Sequence, residues 1–160
     1  TKAIEQYPDI NTIIDQGGIH YFNQVNVGLA VALKEGLIVP VIRDADKKSV
    51  EIISKESQEL SDNGRKGQLE PDDLTNGTFT VSSLGMVDSF TPILNSGQSA
   101  ILGVGRTQSK PVVVGNEIVI REMIVLSLTV DHQVIDGAIA AGFFRRVQRH
   151  LEKPSALFGK

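Results

Sequence analysis

His132 closes a run of apolar and hydroxyl-bearing residues, Leu126-Ser127-Leu128-Thr129-Val130-Asp131, and is followed by Gln133-Val134-Ile135 and then Asp136-Gly137. A histidine at the end of a strand, shortly before a residue pair able to open a helix, places an imidazole where a loop can present it at a cleft. Imidazole has an ordinary pKa of about 6.5, close to neutral pH, so the chemistry on offer is proton transfer. Two purely structural alternatives stand beside this. His132 can be a core histidine with its hydrogen bonds satisfied, and Asp136 can be the N-cap of the following helix, a role compatible with supporting a site.

Few other residues compete. The sequence has no cysteine, which removes thiolate nucleophiles, disulfides and thiolate metal ligands, and only three histidines. His20 reads as a loop residue and His150 as part of the wet face of the last helix; no metal site is expected. Lys and Arg total 16 against 19 Asp and Glu, for a formal net charge of -3, so there is no electrostatic footprint for nucleic acid or an anionic membrane. No apolar run approaches the roughly 20 residues needed to span a bilayer, and the start of the chain lacks a charged-then-apolar signal pattern. A soluble compartment is the expectation. Gly17-Gly18 and Gly103-x-Gly105 lack the strand-to-helix context of a nucleotide fingerprint and read as turns. Arg145, Arg146 and Arg149 read as a solvated helix face, with contact to a coenzyme phosphate as the alternative.

The elements that position these residues follow from periodicity. Val25, Val27, Leu29, Val31 and Leu33 alternate with Asn26, Gly28, Ala30 and Ala32, the two-residue period of a strand whose second face is close-packed. Lys34-Glu35-Gly36 reads as a turn into a second strand, Leu37 to Ile42, broken at Pro40. Ser49 is a plausible cap for a helix to about Asn63, stopped by Gly64. Thr78 to Ser83 and Ala100 to Val104 read as strands, and Gly115-Asn116 as the tight turn of a hairpin between Pro111 to Val114 and Glu117 to Ile120. The run Met123 to Val130, apolar or hydroxylated on both faces, reads as a central strand covered on both sides. Asp136-Gly137 opens a helix to about Leu151, with Ala140, Phe143, Phe144, Val147 and Leu151 as its buried stripe and Pro154 beyond its end. Strands mixed with two or three helices imply an α/β two-layer sandwich with a mixed sheet, and 160 residues suit a single domain.

His132, Asp136 and Gly137 match the His-x-x-x-Asp-Gly signature shared by dihydrolipoamide acyltransferases and chloramphenicol acetyltransferases. Two further stretches resemble the former family in order and spacing. One is Gly77 to Gly85, with Phe90-Thr91-Pro92-Ile93-Leu94-Asn95 and Gln98 to Gly103; the other is Asn26 to Ala32 with Gly36 to Ile42. The resemblance implies a chloramphenicol acetyltransferase-like fold, truncated at its N-terminal side. Residues 1–160 would be about the C-terminal two thirds of the acyltransferase catalytic domain, with the lipoyl and peripheral-subunit-binding domains absent.

The same resemblance implies the chemistry. His132 takes a proton from the thiol of coenzyme A or of dihydrolipoamide, the two acyl-carrying substrates. Ser82 donates a hydrogen bond to the tetrahedral intermediate, with Ser83 as the near alternative and an ordinary strand hydroxyl as the bland one. Asp136 orients the loop, in relatives through an arginine; this sequence has Gln133 where many relatives carry arginine after the histidine, which leaves its charge partner open. No coenzyme A-binding residues are assigned. Implied partners are further copies of the chain, as trimers joined into a hollow cage with His132 and Ser82 contributed by neighbouring subunits. The 2-oxo acid decarboxylase and dihydrolipoamide dehydrogenase components would attach through the absent domains. The apolar tail Ala156-Leu157-Phe158 resembles the anchor of such contacts. The compartment implied is the cytoplasm, or the mitochondrial matrix in a eukaryote. Two alternatives remain open at this point, an assembly scaffold without turnover and a chloramphenicol-type O-acetyltransferase. The acyl group is also open among acetyl, branched-chain and succinyl, with Ser82-Ser83-Leu84-Gly85 looking more like the pyruvate and branched-chain types.

Overall fold

The computed structural model describes residues 1–157; Phe158, the end of the expected anchor, lies outside them. Two 3₁₀ turns, Ile4–Gln6 and Pro8–Ile10, precede a hairpin of β1 (Thr12–Asp15) and β2 (Gly18–Tyr21). Then come β3 (Val27–Leu33), β4 (Gly36–Ile38), β5 (Val41–Ile42), helix α1 (Val50–Lys66), β6 (Phe79–Ser83) and β7 (Ala100–Val104). They are followed by the hairpin β8 (Gln108–Val114) with β9 (Glu117–Met123), then β10 (Leu126–Val130) and helix α2 (Gly137–Glu152). Six strands form one mixed sheet in the order β10-β7-β6-β3-β4, with β5 also paired to β3. The inner pairs β3–β6 and β6–β7 are parallel, whereas β10, β4 and β5 run antiparallel to their neighbours.

Register divides the sheet into two faces. Val27 lies beside Phe79 and Leu29 beside Val81, and Val81 lies beside Leu102, so these side chains share one face. Both helices cover that face. Phe143 of α2, 2% exposed, meets Phe79 edge to face with ring centroids 5.9 Å apart, and Tyr7 at 6.1 Å. Ile38, level with Val31, packs on Gly64 of α1. The result is a two-layer α/β sandwich. The opposite face carries mostly small or hydroxylated residues, Gly28, Ala30, Thr80, Ser82, Gly103, Ser127 and Thr129, together with the buried Ile101 level with Thr80 and Thr129.

Several local readings change. α1 does not stop at Gly64: a Cβ there would lie 2.5 Å from Ile38 Cδ1, so this glycine serves close packing inside the helix. The chain leaves α1 at Gly67, in the left-handed region with φ 67°, which glycine adopts without steric cost. β10 is an edge strand. Its residues are only half-buried on either face, and the partial cover on one side is the loop that takes hydrogen bonds from Ser127 at Phe90 O (2.5 Å) and from Thr129 at Pro92 O (2.7 Å). Gly103 and Gly105 are not turn glycines: Gly103 is inside β7 beneath Phe90 and Pro92, and a Cβ on Gly105 would collide with the carbonyl of Asp88. Leu151 is 55% exposed and does not extend the buried stripe of α2. His20 stands in β2, not in a loop, with Nε2 2.8 Å from Asp15 Oδ1; that bond, with backbone N–H donors nearby, lowers the Asp15 pKa.

Candidate active site

The loop that carries His132 is tied at both ends and in its middle. Val130 is the last β10 residue, opposite Ala100, and Asp131 N–H then donates to Ser99 O at 2.9 Å, holding the chain against the end of β7. Asp131 accepts three bonds from the loop: Gln133 N–H at its Oδ1 (2.8 Å), and Val134 N–H (3.2 Å) and Ile135 N–H (3.0 Å) at its carbonyl. Ile135 is fully buried. Asp136 then caps α2, its Oδ1 accepting from Ala138 N–H and Ile139 N–H, both at 2.9 Å, which satisfies two of the helix's free donors.

Between these ties His132 is exposed and its ring makes no hydrogen bond among the described residues. The reading as a core histidine is therefore set aside. Asp136 makes no ion pair with an arginine among the described residues. Its carboxylate is committed to the helix end instead.

Ser82 is half-buried as the last residue but one of β6, opposite Ala30 on one side and Gly103 on the other. Those small neighbours leave its hydroxyl open on the face away from the helices. Ser83 points the other way, into a cleft of about 370 Å³ between α1 and the sheet that it shares with Ser57, Ser61 and Arg65. The two serines are thus separated by the pleat, and only Ser82 shares its face with Ser127 and Thr129.

Buried polar residues that sequence reasoning missed hold the His132 end of the sheet. Thr12 and Ser99 are both 0% exposed, with hydroxyls 2.6 Å apart; Thr12 also donates to Asp9 O at 2.8 Å. Thr80 donates to Gln98 Oε1 at 2.6 Å and accepts from Asn95 Nδ2 at 2.7 Å, while Gln98 Nε2 reaches Gly77 O at 2.8 Å. Only the order Asn95…Gln98-Ser99 ahead of an apolar strand could have signalled them. Elsewhere, Arg145, Arg146 and Arg149 line a cleft of about 480 Å³ with Gln6 and Tyr7, and Arg146 Nε is buried with no partner among the described residues. His150 is half-buried, not on the wet face, and its Nε2 likewise lacks a partner. No group of metal-binding side chains occurs among the described residues, and no helix there is long and apolar enough to cross a membrane.

Residues 1–159 match the model of the 2-oxoacid dehydrogenase acyltransferase catalytic domain. The chain belongs to this family. It is 39% identical over 158 residues to the succinyltransferase component of the 2-oxoglutarate dehydrogenase complex of Haemophilus influenzae, covering 98% of this chain and 39% of that protein. Among solved structures, the dihydrolipoamide acetyltransferase of Azotobacter vinelandii superposes with a TM-score of 0.91 at 37% identity, covering 98% of this chain and 66% of that one. Crystallographic and enzymatic work on that protein concerns the role of a serine, a histidine and, four residues beyond it, an asparagine in its catalytic mechanism. The cubic core of a pyruvate dehydrogenase multienzyme complex also superposes at 0.91, with 38% identity and the same coverage. Chloramphenicol acetyltransferase, at 14% identity and a TM-score of 0.51, shares the fold alone. The chain spans about two fifths of the length of the curated relatives it matches.

Proposed function

We propose that this chain is the catalytic part of an acyltransferase that moves an acyl group between dihydrolipoamide and coenzyme A, within the assembled core of a 2-oxo acid dehydrogenase complex. The observation that carries this reading is His132. It is an exposed imidazole on a loop tied at both ends, four residues before a helix-capping carboxylate, the spacing of histidine and asparagine in the Azotobacter protein.

His132 removes the proton from the attacking thiol, and the thiolate forms a bond to the thioester carbonyl carbon. The carbonyl electron pair moves onto oxygen, where Ser82 of a neighbouring subunit donates a hydrogen bond to the tetrahedral intermediate. Collapse breaks the original carbon–sulfur bond, and the imidazolium returns its proton to the departing thiolate. A positioned base contributes roughly 10² to 10⁴ in rate, and an oxyanion donor about 3 kcal/mol. Asp136 acts as the cap that fixes the end of the loop. The lipoyl group and coenzyme A enter as substrates.

The coverage of the solved chains supports reading residues 1–160 as about two thirds of the acyltransferase domain, with lipoyl and peripheral-subunit-binding domains outside this stretch. The cubic-core neighbour supports assembly through trimers. The decarboxylase and dihydrolipoamide dehydrogenase components are its partners, and the cytoplasm or the mitochondrial matrix its compartment. The relatives include a succinyltransferase and an acetyltransferase, so the acyl group is chosen by residues beyond the shared signature.

The test is acyl transfer from acyl-coenzyme A to dihydrolipoamide by the assembled protein and by His132→Ala, with particle size measured in parallel. A fall of roughly 10² or more at unchanged size supports His132 as the base. Equal turnover in both removes it from that role.

A further inference from the structure

A general base contributes only if its ring is held where the thiol arrives, and an exposed histidine on a loop has no intrinsic reason to stay there. His132 has no side-chain partner among the described residues, so the placement has to come from the backbone on either side of it. That backbone converges on one residue. Asp131 donates its N–H to Ser99 O and so continues the β10–β7 ladder by one step. Ser99 is itself fully buried, with its hydroxyl 2.6 Å from that of Thr12, so the anchor point is rigid. On its other side Asp131 takes three N–H groups from the loop, Gln133 at its carboxylate and Val134 and Ile135 at its carbonyl. The two residues that flank His132 are therefore bonded to each other, through Gln133 N–H and Asp131 Oδ1 at 2.8 Å.

We propose that Asp131 is the positioning residue of His132, acting through the acceptor oxygen that it offers to Gln133 N–H and not through its negative charge. This rests on the reading of His132 as the general base. The carboxylate is the only part of this arrangement that a side-chain substitution removes, since the other two bonds use the carbonyl that every residue carries. Asparagine keeps an acceptor oxygen at the same distance from the backbone, and alanine removes it.

The experiment compares Asp131→Asn, Asp131→Ala and His132→Ala in the assembled protein, with acyl-coenzyme A and dihydrolipoamide as substrates. Asp131→Ala is expected to lower kcat by about tenfold or more with KM changed by less than about twofold, whereas Asp131→Asn stays within about threefold of the parent and keeps its pH profile. Amide hydrogen exchange at Gln133 speeds up in Asp131→Ala and not in Asp131→Asn, a readout independent of turnover. Parent-like kcat in Asp131→Ala overturns the proposal, and so does an Asp131→Asn variant as impaired as Asp131→Ala, because charge would then be what matters. The underlying reading fails separately, through a His132→Ala variant that turns over like the parent.

Discussion

Ser82 and His132 stand at opposite ends of one sheet. Ser82 is level with Gly103 of β7, which is level with Ser127 at the start of β10, whereas His132 follows Val130 at the other end of that strand. Five residues along a strand and two strand spacings across put the two about 15–20 Å apart within a single chain. On the proposed mechanism the tetrahedral intermediate needs both groups within hydrogen-bond reach, a distance that this register does not allow within one chain. A site that uses them draws them from two copies.

Complementation checks this directly. Particles co-assembled from equal amounts of Ser82→Ala and His132→Ala chains, each expected to be impaired by roughly 10² or more alone, should recover activity from the pairings that bring an intact His132 next to an intact Ser82. Random pairing around a closed ring makes about a quarter of the sites intact. Recovery near that fraction, measured as kcat per chain, supports the shared site. Activity no better than that of either variant alone places both groups in one chain and contradicts the register.

Asp136 separates capping from charge. Both of its bonds run to backbone N–H groups at the start of α2, and an asparagine can accept them as well as an aspartate. Asp136→Asn is expected to keep its melting temperature within a degree or two and most of its turnover. Asp136→Ala leaves two helix donors unpaired and should lose about 1 kcal/mol of stability along with the fixed end of the His132 loop. Thermal unfolding with parallel turnover decides it: equal loss in both variants would mean that the carboxylate charge itself is needed.

What was legible in the sequence was local. β7 is read at its observed bounds because its apolar run is short and bracketed by polar residues on one side and a glycine on the other. The loop from Asp131 to Asp136 is legible because a strand end, a buried Ile135 and a cap are adjacent in the chain. The pairing of Thr12 with Ser99 was not, since the two hydroxyls are 87 residues apart and each alone resembles a surface residue. The edge position of β10 escaped for the same reason: its partial cover comes from the loop at Phe90 and Pro92, remote from it in the chain. Gly64 looked like a helix stop because the side chain that occupies its space, Ile38, comes from a different element.

The junction of α2 with the sheet rests on one ring. Phe143 is 2% exposed and meets both Tyr7 and Phe79 edge to face. Phe143→Ala is expected to cost about 3–5 kcal/mol in denaturant unfolding, through lost burial and an unfilled cavity. Phe143→Leu, which refills most of that volume, should cost far less. A loss below about 1 kcal/mol for alanine would show that α2 is held chiefly by other contacts.

His150 should make stability depend on pH. Burial, reinforced by the neighbouring Arg146 cation, lowers its pKa below the ordinary 6.5, and its Nε2 is buried without a partner among the described residues. In the unfolded chain the ring takes up a proton as the pH falls through about 6.5, whereas in the folded chain uptake is delayed to lower pH. The unfolded state therefore binds more protons in that window. Its contribution to stability is complete above about pH 6.5 and is lost as the pH falls through the lowered folded-state value. Denaturant midpoints of the parent should fall between pH 7 and pH 5, and His150→Phe, which fills the same space without a titrating ring, should flatten part of that fall. Identical pH dependence in the two proteins would show that His150 is reached by water and protonates freely in the fold.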